Sequence, residues 1–115
     1  MSILITGHKG YIGSHLYEYL IKHNTVYGVD IDDFDLKDYN KLHIFVNNKN
    51  IKTIIHLASY KDLNESIENP IIYYENNILI TLNILKVIQE YNIKHLIFSS
   101  SASILNDDKT ITNLN

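Results

Sequence analysis

Thr6-Gly7-His8-Lys9-Gly10-Tyr11-Ile12-Gly13 sets three glycines at three-residue spacing, in a chain that holds only four. The segment follows the apolar run Ser2–Thr6 directly and leads into residues with helical spacing. In that context each glycine has a physical reason. Gly7 permits a tight turn where a strand ends. Gly10 lets a pyrophosphate approach the backbone without meeting a Cβ, and Gly13 lets a helix pack closely on the strand. N–H groups at Tyr11 and Ile12 would then point at phosphate oxygens, helped by the helix dipole. Asp30 ends the next apolar run. A carboxylate there accepts both hydroxyls of an adenosine ribose and repels a 2′-phosphate. The chain contains no arginine to receive such a phosphate. Together these residues predict binding of a dinucleotide, NAD in preference to NADP, with Lys9 the one cation inside the loop.

The elements that must position this loop are legible in the hydrophobic pattern. Short apolar runs at Ser2–Thr6, Thr25–Val29, Thr53–Leu57 and His95–Ser99 read as strands buried on both faces. Between them lie longer stretches with helical spacing. Tyr11–His23 carries Ile12, Leu16, Tyr19 and Leu20, and Asp38–Asn48 sets Leu42, Phe45 and Val46 on one face. A long helix is predicted from Pro70, which fits a first turn, to about Tyr91, with a stripe of Ile78, Leu82, Leu85 and Ile88. This alternation predicts an α/β fold: a Rossmann-like parallel sheet of about four strands with helices on both faces. The expected organisation is an NAD-binding domain over residues 1–105, incomplete relative to a full fold of this type, followed by a polar tail over 106–115.

Composition closes other routes. At 115 residues the chain is one domain with one core, too short for a cofactor domain and a separate substrate domain. It has no cysteine, which excludes disulfides, thiol chemistry and cysteine-based zinc sites. A net charge of −3 and the lack of arginine argue against nucleic acid as a partner. No apolar run approaches a membrane span, and Ser2-Ile3-Leu4-Ile5 does not read as a signal peptide, so a cytoplasmic protein is expected. Asp32, Asp33 and Asp38 read as solvated charges around a helix start, and no metal site is expected.

Further segments make a family recognisable. Asp35-Leu36, then Ile55-His56-Leu57-Ala58-Ser59, Lys61, Asn64-Glu65-Ser66, Pro70, Tyr73-Tyr74-Glu75-Asn76-Asn77 and Phe98-Ser99-Ser100-Ser101-Ala102 follow the glycine loop in order. The chain from Met1 to about Ala102 resembles the N-terminal half of the extended short-chain dehydrogenase/reductases. Within them it is most similar to the NAD-dependent nucleotide-sugar epimerases and dehydratases, the UDP-glucose 4-epimerases above all. The resemblance implies that Asp35 and Leu36 hold the adenine ring. It implies that Leu57, Ala58 and Ser59 lie along the diphosphate, Lys61 contacts the nicotinamide ribose, and Asn76 contacts the cofactor near the nicotinamide. Ser101 falls on the family's catalytic serine. His56 is expected to be a packed strand residue. The chain departs from the pattern at Ile80, where the family often has glycine, and at Ile104, Leu105 and Asn106. The stretch from Asp30 to Asp35 is also shorter than in the epimerases, as in the compact dTDP-sugar reductases and GDP-fucose synthases.

Family chemistry uses a tyrosine followed four residues later by a lysine, whose charge lowers the tyrosine pKa. None of the 9 tyrosines has this partner; the residues four positions on are His15, Ile21, His23, Ile31, His43, Asn64, Asn77, Ile78 and His95. The expectation is therefore an NAD-binding half without turnover of its own. The alternatives are a subunit completed by a partner chain and a non-enzymatic NAD-responsive module. Residues 95–99 should form an exposed sheet edge, through which the chain self-associates or meets that partner.

Overall fold

The computed structural model describes residues 1–58 and 67–98. Ser59, Lys61, Ser101 and the tail 106–115 lie outside the described residues. The elements are β1 (Ser2–Thr6), α1 (Tyr11–Leu20), β2 (Thr25–Val29), α2 (Tyr39–Val46), β3 (Thr53–His56), α3 (Pro70–Tyr91) and β4 (His95–Phe98).

Among the described residues all strand pairs are parallel, in the order β2-β1-β3-β4. From β1 the chain goes first to β2 on one side and then to β3 on the other. The crevice between the C-terminal ends of β1 and β3 is therefore a topological switch point, where open α/β sheets bind ligands. Register aligns Thr6 with Val29 on one side and with His56 on the other, and His56 with Phe98. Side chains paired in this way point to the same face.

Helices cover both faces, as the pattern predicts. Leu4, Val29 and Ile54 pack under α2 and α3 with Leu42, Val46, Ile80, Ile84 and Val87. Ile3, Ile5, Val26 and Ile55 face the other way, against Leu16, Tyr17 and Leu20 of α1. Asp38 caps α2, its carboxylate accepting from the Lys41 N–H at 3.3 Å. Tyr39 of α2 donates to Glu90 of α3, and His43 Nδ1 lies 3.2 Å from the Glu90 carboxylate. Burial, reinforced by Glu90, pushes the Tyr39 hydroxyl up to about 12.

Two stripes differ from the sequence reading. In α3 the buried residues are Ile80, Asn83, Ile84 and Val87, whereas Ile78, Leu82 and Leu85 are exposed. This helix is apolar on most of its circumference, so spacing alone offers more than one stripe. Packing onto Leu4, Leu36 and Ile54 selects the one that includes Ile80. In α1, Leu16 and Leu20 pack inward but Ile12 and Tyr19 are exposed, and the helix ends at Leu20 rather than His23.

Candidate cofactor site

The site is built on buried Thr6. Its hydroxyl accepts from the N–H groups of Leu57 at 3.0 Å and Ala58 at 3.2 Å. Both lone pairs are then used, so its proton goes to His56 Nδ1, 2.6 Å away. This fixes His56 as an acceptor at Nδ1. Burial lowers the His56 pKa to about 4, so the ring is neutral at pH 7. At 4% exposure His56 is the packed strand residue expected of it, joining the ends of β1 and β3. The same bonds hold Leu57 and Ala58 at the switch point.

The three loop glycines divide by what constrains them. Gly7 has φ +80° and donates to the Val29 carbonyl at 2.7 Å; a Cβ on it would lie 2.9 Å from Ala58 N. A Cβ on Gly13 would collide with the Gly7 carbonyl oxygen. These two are required by the protein's own packing. A Cβ on Gly10 would meet nothing closer than 3.4 Å, an ordinary contact. Nothing in the described chain requires a glycine there, and the backbone at Gly10 is open to approach from solvent. Gly10 is also the N-cap of α1, with no side chain bonded to the helix end. Tyr11 and Ile12 are exposed at that end. Uncapped N–H groups and a positive dipole end suit a diphosphate.

Asp30 sits across this loop. Its carboxylate accepts from the Lys9 N–H at 3.3 Å and the Ile31 N–H at 2.8 Å, and its own N–H donates to Asp33 at 2.8 Å. The Lys9 ammonium lies 3.7 Å from Asp32. Asp35 accepts from the Lys37 N–H at 2.9 Å, and the Lys37 ammonium lies 3.7 Å from its carboxylate and 3.4 Å from Asn76 Oδ1. Lys37 thus connects the loop after β2 to α3. Leu36 is 4% exposed and packed in the core, so any ligand contact it makes falls to its main chain.

The described residues therefore place Gly7, Gly10, Tyr11, Ile12, Gly13, Asp30, Leu57 and Ala58 around the C-terminal end of the sheet, with Asp35 and Asn76 joined through Lys37. Two contributors escaped the sequence reading. Thr6 reads as one more strand residue. Asn83 is buried within α3 and donates to the Leu36 carbonyl at 2.9 Å. A polar residue at the spacing of Ile80, Ile84 and Val87 was its available signal. Among the described residues no cluster of potential metal ligands occurs, and no helix is long and apolar enough to cross a membrane.

Comparison with known proteins agrees with this fold. Residues 3–114 match the NAD dependent epimerase/dehydratase family. A UDP-glucose 4-epimerase of Schizosaccharomyces pombe is 33% identical over 92% of the chain, which spans 36% of that relative. The UDP-glucose 4-epimerase of Bifidobacterium longum, solved with NAD+ and UDP, superposes with TM-score 0.83 at 32% identity, over 99% of this chain and 42% of that one. The Thermus thermophilus enzyme in complex with NAD gives TM-score 0.81 at 26% identity, over 88% of this chain and 38% of that one. The chain thus spans less than half the length of each of these relatives.

Proposed function

The chain belongs to the NAD dependent epimerase/dehydratase family, and from that premise we propose that these residues form the NAD-binding half of a nucleotide-sugar epimerase, without turnover of their own. The observation that carries the cofactor reading is the open backbone at Gly10, at the uncapped start of α1 and opposite Asp30. The α1 N-terminus would hold the diphosphate and Asp30 the adenosine ribose. Leu57 and Ala58, fixed by Thr6, would border the cofactor at the switch point. NAD supplies reversible hydride acceptance when bound. Moving the sugar proton needs a tyrosine–lysine pair that these 115 residues lack, so it falls to polypeptide outside them. Lys61, Ser59 and Ser101 keep the roles the resemblance implies, Ser101 awaiting that pair.

Calorimetric titration with NAD tests this reading. Binding of NAD with weaker binding of NADP is expected, the latter because Asp30 faces the 2′ position and no arginine is present. No heat at millimolar NAD would sink it. Assay of the chain alone with UDP-glucose and UDP-galactose should show no interconversion.

A second reading draws on β4, where Leu96, Ile97 and Phe98 are all exposed. In it a polypeptide carrying the tyrosine and lysine pairs along this edge and completes the site. Added in trans, such a segment should restore epimerisation; its failure to bind the chain would count against this arrangement.

A further inference from the structure

Asn83 lies two turns beyond Asn76 on α3, a spacing that returns to the same helix face. Both asparagines reach the loop that follows β2. Asn76 accepts from Lys37 at 3.4 Å, and Asn83 donates from Nδ2 to the Leu36 carbonyl at 2.9 Å. Asn83 is only 3% exposed. An asparagine is a poor helix former and a costly residue to bury, so its place among Ile80, Ile84 and Val87 needs an offsetting interaction. The Leu36 carbonyl supplies it. That carbonyl belongs to a residue whose side chain is itself buried, and without Asn83 it would lose its partner.

This loop runs from Asp30, at the ribose corner, through Asp35 to the cap of α2 at Asp38. With the diphosphate at α1 and the ribose at Asp30, the base lies beyond the ribose, on the side of this loop. We propose that Asn83 is a positioning residue for the adenosine half of the cofactor. It fixes the peptide at Leu36, and with it the height of Asp35 above the sheet, without touching the ligand. This inference rests on the cofactor reading above. It adds that α3, which meets the loop after β2 at Asn76 through Lys37, also fixes that loop from two turns further on, at Asn83.

Half-molecules separate the two ends. AMP and nicotinamide mononucleotide are titrated into the full chain and into Asn83→Ala, each checked for a native thermal transition. The variant should bind AMP about tenfold more weakly, because the Leu36 peptide is released and Asp35 is no longer held in place for the ligand, and bind nicotinamide mononucleotide as the parent does. A general loosening of the fold would weaken both ligands alike, and equal loss, or unchanged AMP affinity, overturns the inference. Failure of the parent chain to bind either AMP or NAD overturns the cofactor reading and this inference with it. Should Asn83→Ala not fold, the parent chain decides. Its Asn83 side-chain amide resonances should shift on saturation with AMP and stay in place with nicotinamide mononucleotide. No shift with AMP overturns the proposal.

Discussion

The two faces of the sheet are covered unequally. On one, α2 and α3 enclose a continuous core that includes Leu4, Val29, Ile54 and Ile84. On the other, α1 covers Ile3, Ile5, Val26 and Ile55 among the described residues, and the neighbouring Ile97 of β4 is 48% exposed. The thick face holds the fold together. The thin face carries, on its one described helix, the uncapped N-terminus at which a diphosphate would bind. The glycine loop is close-packed at Gly7 and Gly13 and open at Gly10, while the residues that fix its surroundings, Thr6, His56 and Asn83, belong to the thick side. The fold is held from one side, and the candidate binding residues come from both: Gly10 lies at the start of α1, while Asp35 and Asn76 meet through Lys37 on the α3 side.

The largest expected effect tests the thick face. Ile54 is fully buried between β1 and α3. Ile54→Ala should lower stability by about 4 kcal/mol, read from urea unfolding midpoints. A loss below ~1 kcal/mol would mean that this core is not the main source of stability.

His56 sharpens the same contrast through pH. Its pKa is lowered by burial to about 4 in the folded chain, against an ordinary 6.5 in the unfolded one. The unfolded chain therefore takes up the proton first. The contribution is complete above pH 6.5 and is lost as pH falls from there towards 4, by on the order of 3 kcal/mol. Denaturant titrations across this window should show the loss, and His56→Gln should flatten it. An unchanged profile in the variant would show that His56 is not the group responsible.

The thin face is tested at Gly10. The opening at this position makes Gly10→Ala compatible with the fold, and stability should stay within about 1 kcal/mol of the parent, the difference between glycine and alanine at an N-cap. NAD affinity should nevertheless fall about tenfold, because the methyl group occupies the approach to the diphosphate. Loss of stability with retained affinity would reverse the assignment and make Gly10 a packing glycine like Gly13.

What the sequence made legible follows the same division. Strand positions, helix placement and the glycine loop were readable because they depend on local pattern: apolar runs, a turn requirement, a proline in a first turn. The loop's three glycines were given separate roles from position alone, a turn at Gly7, a cofactor approach at Gly10 and close packing at Gly13; that the Gly7 carbonyl is what presses on Gly13 was not legible. The buried stripe of α3 was misread because Ile78, Leu82 and Leu85 are as apolar as Ile80, Ile84 and Val87, and only the sheet beneath distinguishes them. Asn83 and Thr6 were passed over for a related reason. Their partners, Leu36 and His56, are distant in sequence, and a hydrogen bond between distant residues leaves no periodic trace.

The smallest expected effect is the most discriminating between the two faces. Ile55 and Ile97 are register neighbours, of one residue type, pointing to one side of the sheet. Composition treats them as equals. Ile55 is buried against the α1 side, so Ile55→Ala should cost at least about 2 kcal/mol. Ile97 keeps nearly half its surface in solvent, so Ile97→Ala should cost under about 1 kcal/mol, since only the area removed from water contributes. Paired urea titrations of the two variants measure the ratio. If Ile97→Ala costs as much as Ile55→Ala, then β4 is covered in solution, by a second copy or by further polypeptide. Repeating the titration at several protein concentrations tells these apart: a cost that grows with concentration comes from another chain, and one that does not comes from this one.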